Sequence, residues 1–360
     1  MRSFDVLVIG LGPAGSSAAA AAARAGCRVL AIERKKVVGL PVQCAEFIPL
    51  PLSSYAGTEV RAQTISGMAT FLPSGARAER AFGGLMIRRD RFDQALARAA
   101  ETAGAVLWTD ASLRAVDAAA RCVRVSTPGG LRELRYGALV AADGPLSQAA
   151  ACLGLGRLPV VTTRQYAVPL RKEQRDTDVW LSARYPGGYA WLFPKGGVAN
   201  LGLGLDPALG DDMKAPLDEL HAILAREGRV GAEVLLRTGG PIPVGGLRER
   251  IVAGRALFAG DAAGLTHPIT GAGIAPAVTS GERAGAAAAR AAGGDEAALA
   301  EYEDELREEF GPALERALAA RRRMAGVWNT PRAADDAAHR RGWIAFDEYF
   351  AGLPGNRATQ

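Results

Sequence analysis

The feature that most constrains this chain is a glycine turn set between an apolar strand and an alanine-rich helix near its start. Residues 5 to 9, Asp-Val-Leu-Val-Ile, form the near-continuous apolar run of a parallel strand covered on both faces. Gly10-Leu-Gly12-Pro13-Ala14-Gly15 follows at once, and small residues continue from about Pro13 to Ala25. Each glycine has a mechanical reason. Gly10 makes the tight turn, Gly12 lets backbone approach a pyrophosphate, and Gly15 allows close packing under the positive end of the helix. A second strand expected over Arg28 to Ile32 ends at Glu33, placed to accept hydrogen bonds from an adenosine ribose, with Arg34 beside it. An acidic residue there favours an unphosphorylated ribose, as in FAD or NAD, over NADP. The plainer reading, a glycine turn kept for packing alone, fits this context poorly.

Two later segments decide between the two dinucleotides. Arg255-Ala-Leu-Phe-Ala-Gly260-Asp261 reads as a short strand ending in Gly-Asp, and Leu-Thr-His267-Pro268-Ile-Thr-Gly271-Ala-Gly273-Ile274 opens another small-residue helix. The pair resembles the second FAD fingerprint of the class A flavoproteins, which implies FAD with Asp261 on its ribityl chain and Pro268 to Ile274 beside its ring. The residues are compatible with this, because a carboxylate can accept hydroxyl protons and glycines let backbone approach a flat ring. A helix beginning near Gly273 would aim its amino-terminal dipole at the pyrimidine edge, where the reduced anion gathers charge. The same resemblance covers Ile87-Arg-Arg89-Asp-Arg-Phe92-Asp93 and Leu139-Val-Ala-Ala-Asp143-Gly144. It implies that Arg89 lies near the cofactor and that the turn at Asp143 braces the pyrophosphate region. Taken alone, Arg89 reads equally well as a solvated charge at a helix start.

From Arg164 to Leu205 the period changes to strand-like alternation, and three antiparallel strands are expected. Tyr189, Trp191 and Phe193 stand two apart and so share one sheet face, with Ala190 and Leu192 on the other. By pattern alone such a stripe is core packing. The string PGGYAWLFPKGGVANLGLG, however, resembles the PxxYxWxFP segment of the geranylgeranyl reductase family, whose aromatics line a long apolar cavity beside the flavin. Pro41-Val-Gln-Cys44-Ala-Glu46 is similar to that family's Pro-x-x-Cys-Gly-Glu loop, whose cysteine lies over the isoalloxazine. Without the resemblance Cys44 would be read as buried and inert. With it, Cys44, Tyr189 and Trp191 become the catalytic candidates. The likeness runs from the first glycine motif to about Arg290. It departs at Ala45, where the family has glycine, and in a shorter region after the last flavin helix.

The fold expected is α/β: a Rossmann-type FAD-binding domain with an interleaved antiparallel-sheet substrate domain and C-terminal helices. Residues 1–60, 85–155 and 246–292 are assigned to the first, 61–84 and 160–245 to the second, and 295–360 to the helical region. A charged helix is expected from about Glu296 to Ala325, stopped before Pro331. Trp343, Phe346, Tyr349 and Phe350 stand three and four apart, which predicts one aromatic helical face. That face is expected to pack over the substrate domain, with docking to a membrane or a protein as the alternative.

The chemistry expected is reduction of carbon–carbon double bonds in a hydrophobic, isoprenoid-like substrate by hydride from reduced flavin, with Cys44 or a nearby acid supplying the proton. Two other flavin chemistries share these signatures: a monooxygenase hydroxylating an aromatic or peptidyl substrate, and a FixC-like electron-transfer flavoprotein. No second dinucleotide fingerprint is present, so NAD(P)H or ferredoxin is expected only as a transient electron donor, and which one is left open. The four cysteines lack CxxC spacing and the three histidines lack ligand spacing, so no metal is expected. With 22% charged residues and no long apolar run, a cytoplasmic protein is expected. The net charge of +5 leaves room for peripheral contact with an anionic membrane, while no block of like charge points to nucleic acid.

Overall fold

The opening strand, Arg2–Ile9, has parallel partners on both sides, Val29–Ile32 and Gly130–Ala141, so Val6, Leu7 and Val8 are wholly buried. The computed structural model describes residues 2–50 and 57–351; the parts of the expected domains at 51–56 and 352–360 lie outside the described residues. Around that centre the strands run in the order Val252–Ala253, Ala256–Phe258, Gly130–Ala141, Arg2–Ile9, Val29–Ile32, Val106–Trp108. Ser112–Asp117 and Cys122–Thr127 form an antiparallel flap on Gly130–Ala141.

Two helices cover this sheet, Pro13–Arg24 and Ile274–Ala292, and their contact brings the distant glycine segments together. Small residues are required there: a Cβ on Gly281 would stand 2.1 Å from the Ala14 carbonyl oxygen, and one on Gly285 2.2 Å from that of Ala18. Larger side chains would force the helices apart and withdraw the Gly260 segment from the glycine turn.

The second sheet has nine strands. Eight lie in the order Leu236–Thr238, Val160–Pro169, Val198–Leu205, Ala190–Lys195, Thr177–Trp180, Arg61–Phe71, Arg77–Ile87, Phe47–Pro49, and Pro241–Pro243 also pairs with Val160–Pro169. Helix Lys214–Arg226 covers one face, where Ala190 and Leu192 join Leu201 and Leu217. Trp191 and Phe193 point to the opposite face with Ile65 and Met68. The sheets divide the chain differently from the sequence boundaries in two places. Phe47–Pro49 pairs with the second sheet, and the hairpin's return strand continues to Ile87. A three-residue strand is too short to carry a period, which is why its partner could not be read.

Helix Ala297–Ala325 follows, anchored where the Tyr302 hydroxyl donates to the Phe258 carbonyl at 2.6 Å. The single aromatic helix expected in the tail is not formed. Asp336–Gly342 and Asp347–Phe350 are separate short helices, and Trp343 and Phe346 at their junction are extended, with φ −123° and −117°. Arg80 makes the difference: its Nε donates to the Ala345 carbonyl at 2.7 Å and its guanidinium pairs with Asp347, spending a backbone acceptor that a continuous helix would use internally. Trp343 and Phe346 are both buried against the aromatic face of the second sheet.

Candidate active site

Between the two sheets lie two adjoining chambers. The first, of about 520 Å³, is lined by Gly10, Gly12, Glu33, Arg34, Asp143 and Asp261 among others. Backbone shapes it. Gly10 has φ +95°, and a Cβ there would meet the Ala142 carbonyl oxygen at 2.4 Å; a Cβ on Gly15 would meet that of Gly10 at 1.8 Å. At Gly12 nothing lies within 4 Å of the Cβ position, so its bare backbone opens onto the chamber. Glu33 bridges the turn, its carboxylate accepting from the Leu11 N–H at 2.9 Å and the Lys35 N–H at 3.0 Å.

Asp143 accepts from the Ala149 N–H at 2.9 Å through Oδ2, while Oδ1 is buried and has no hydrogen-bond partner. Burial raises the Asp143 carboxyl above its ordinary value, with the Ser147 hydroxyl opposing. Asp261 sits in a one-turn helix, Gly260–Ala263, just past the strand Ala256–Phe258, and accepts from the Thr266 hydroxyl at 2.5 Å. Gly273 permits that contact, since a Cβ there would fall 2.7 Å from the Thr266 oxygen. A glycine cradle and three carboxylates, of Glu33, Asp143 and Asp261, lining the same space together fit a dinucleotide.

The second chamber, of about 350 Å³, is apolar. Tyr189, Trp191 and Phe193 form one wall, joined by Phe47, Met68 and Trp343 from three other segments. Tyr189 stacks edge-on against Trp343 with ring centroids 4.8 Å apart, and its hydroxyl donates to the Thr270 carbonyl at 2.5 Å. Thr270 belongs to the turn whose N–H groups at 269 and 270 point at His267 Nδ1, and burial lowers that imidazole to about 4. Gly12, Arg89 and Asp261 line both chambers, so the two share a border. Pro13, Ala14, Gly271, Gly273 and Ile274 line the apolar one, placing the start of helix Ile274–Ala292 on its border. Gly15, Gly260 and Pro268 are buried behind the lining.

Cys44 lines the apolar chamber, next in sequence to Gln43, which lines both. Its Sγ accepts from the Glu46 N–H at 3.2 Å, and burial raises the thiol above its ordinary value, with nearby Arg89 opposing. Arg89 favours the thiolate through its charge and a hydrogen bond, yet burial is the larger effect; the same guanidinium grips Asp93 at 2.9 and 3.1 Å. Burial works against that guanidinium's charge, but the Asp93 carboxylate opposes it and holds its pKa up.

Three residues that were not among the site candidates read from the sequence complete the site. Glu46, 3% exposed and at φ +70°, pairs with Lys195 and accepts from the Asn200 amide at 2.9 Å and the Arg89 N–H at 3.0 Å. Gln165 contacts both Cys44 and Trp191. Trp343 closes the apolar wall. For Glu46 the signal was present, a carboxylate inside the Cys44 loop; for Gln165 no local pattern announces it. Among the described residues no cluster of potential metal ligands occurs, and no helix is long and apolar enough to cross a membrane.

Comparison with known proteins agrees with this geometry. A family model described as FAD dependent oxidoreductase matches residues 5–128, and one described as geranylgeranyl reductase catalytic domain matches residues 160–240. The chain is 37% identical over 339 residues to digeranylgeranylglycerophospholipid reductase 2 of Methanopyrus kandleri, covering 88% of this chain and 85% of that protein. To the digeranylgeranylglycerophospholipid reductase of Thermoplasma volcanium it is 34% identical over 308 residues, covering 78% and 76%. Among solved structures, a geranylgeranyl bacteriochlorophyll reductase-like protein from Thermoplasma acidophilum matches with TM-score 0.85 at 26% identity, covering 96% of this chain and 93% of that one. The flavin-dependent halogenase CmlS shares the fold, with TM-score 0.74 at 19% identity, covering 98% and 71%.

Proposed function

The chain belongs to the geranylgeranyl reductase family of FAD-dependent oxidoreductases, and on that premise we propose that it saturates the double bonds of a prenyl-bearing lipid inside the aromatic chamber. The observation that carries this reading is the border that chamber shares with the glycine-lined one at Gly12, Arg89 and Asp261. When bound, FAD supplies the hydride.

The protein's own groups do the rest. The Gly10–Gly15 turn and helix Pro13–Arg24 offer N–H groups and a positive dipole end to a pyrophosphate. Glu33 takes the ribose hydroxyls, Asp143 the space beside the phosphates, and Asp261 the ribityl hydroxyls. Arg34 adds a positive charge at the same end, and Arg89, already neutralised by Asp93, braces the junction. The amino-terminal end of helix Ile274–Ala292 stabilises negative charge at the chamber border. Tyr189 and Trp191 hold the alkene and exclude water, which strengthens any charge that develops there. Cys44 holds the proton: its buried thiol stays protonated through neutral pH and lines the apolar chamber near Arg89, which lines both.

Reducing equivalents come from a transiently docked donor, a nicotinamide or a ferredoxin, since the sequence carries one glycine fingerprint of the dinucleotide-binding type. A lipid of this class is met at a membrane surface, so the protein works at the membrane periphery. The test is anaerobic: protein reduced chemically with FAD bound is mixed with a geranylgeranyl-bearing phospholipid, and flavin absorbance and lipid mass are followed. Reoxidation paired with a gain of two hydrogens per double bond is expected. Reoxidation that requires oxygen and yields a hydroxylated product, or that requires a partner protein and leaves the lipid unchanged, would overturn the reading.

A further inference from the structure

Gln165 links the Cys44 loop to the aromatic wall. It lies within the strand Val160–Pro169, is 5% exposed and lines the apolar chamber. Its amide has one donor end and one acceptor end, and both are used. The Trp191 indole N–H donates to Oε1 at 3.1 Å, and Nε2 donates to the Cys44 carbonyl at 3.0 Å. The partners themselves fix this orientation, because an indole nitrogen only donates and a carbonyl only accepts.

The rest of the loop is tied in the same direction. Val42 accepts from the Thr238 hydroxyl at 2.7 Å, Gln43 donates to the Gly239 carbonyl at 2.6 Å, and Ala45 accepts from the Asn200 amide at 3.1 Å. These contacts run to the second sheet or the turn that follows its edge strand, so the loop is registered on the substrate sheet. Gln165 holds the residue that carries the thiol, and with its other end the ring at the centre of the wall.

We infer that Gln165 is a positioning residue for the reduction, fixing Cys44 and Trp191 in one register across the chamber. This rests on the reductase reading above. A buried amide used at both ends cannot be replaced by an apolar group without orphaning an indole N–H and a carbonyl. A neutral carboxylic acid can replace it, having one O–H donor and one carbonyl acceptor; a carboxylate cannot, because it only accepts.

Gln165→Glu and Gln165→Leu therefore separate positioning from simple packing. The Leu variant is expected to lose on the order of 10- to 100-fold in kcat at every pH, the scale of a misplaced reacting group. The Glu variant should approach wild type at low pH and fall by a similar factor as its carboxyl ionises. The titratable groups that share this chamber, Cys44 and Glu46 on the loop, Arg89, Tyr189 and Asp261, are present in both proteins. The ratio of the two pH profiles therefore isolates the new carboxyl.

A second readout needs no turnover. In FAD-loaded protein without lipid, alkylation of the Cys44 peptide, resolved by mass spectrometry from Cys27, Cys122 and Cys152, should quicken about tenfold or more in the Leu variant. In the Glu variant it should quicken, relative to wild type at the same pH, only where the carboxyl is ionised. If wild type fails to reduce lipid, the reductase reading falls and alkylation alone decides the tether. If wild type turns over while the Glu variant tracks it at all pH values with unchanged alkylation, the inference is overturned. Should the Leu variant lose flavin, the Glu variant compared with itself across pH carries the test.

Discussion

The two chambers are built by opposite means. The polar one is shaped by backbone: glycines at 10 and 12 remove side chains so that main chain and the carboxylates of Glu33, Asp143 and Asp261 can face a ligand. The apolar one is shaped by side chains from separate segments, with Cys44, Gln165, Trp191 and Trp343 meeting only in the folded chain. The comparison teaches that the first should break at single glycines without loss of the fold, whereas the second should degrade by degrees.

The largest expected effect tests the backbone-built side. Gly12→Val places its side chain in open space at the chamber, so FAD affinity should fall 100-fold or more while the apoprotein keeps its unfolding midpoint. Flavin fluorescence titration and thermal unfolding of the two apoproteins check this. Retained affinity would mean that the turn does not hold the pyrophosphate.

On the side-chain-built side, Cys44→Ala is expected to keep FAD and lower turnover by about 100-fold, the lower end of the range for removing a proton donor. Because burial raises the thiol, wild-type turnover should be level through neutral pH and fall only above the ordinary thiol range, as the proton is lost. A pH–rate profile that falls instead below that range would point to another donor.

Trp343→Ala should destabilise the protein by about 3–5 kcal/mol in urea unfolding, since it empties a buried ring site against Tyr189. It should also raise the KM for lipid while leaving FAD affinity alone. A variant with wild-type KM would remove Trp343 from the substrate wall.

The smallest effect concerns the turn at His267 that borders the apolar chamber. His267 titrates near 4 in the folded protein and near 6.5 when unfolded, so below pH 6.5 the unfolded chain binds the extra proton. Stability from this group is complete above 6.5 and is lost as pH falls towards 4, by about 2 kcal/mol after allowance for its partial exposure. In His267→Asn the unfolding free energy should lose that slope between pH 6.5 and 4.

How far the sequence reveals the site follows the same division. Gly10 to Gly15 and Gly260-Asp261 are legible because a turn, a strand end and a helix start are local events with local residue demands. The alternation of Tyr189, Trp191 and Phe193 is legible because a strand fixes side-chain direction with period two. The tail is not: three-and-four spacing from Trp343 to Phe350 suits a helix, yet Arg80, far away in sequence, takes the Ala345 carbonyl and the segment runs extended. Gln165 is illegible for a related reason. Its two partners lie 121 and 26 residues away, and neither distance leaves a trace in the residues beside it.

The central claim, that a dinucleotide and a hydrocarbon chain share one continuous site, is tested most directly by spectral titration. Apoprotein is reconstituted with FAD, and a fully saturated analogue of the prenyl lipid is added while its binding and the visible flavin bands are followed together. The account expects yellow protein whose flavin bands shift and saturate in step with lipid binding. Protein that stays colourless with FAD, or flavin bands that do not move while the lipid binds to saturation, would contradict it.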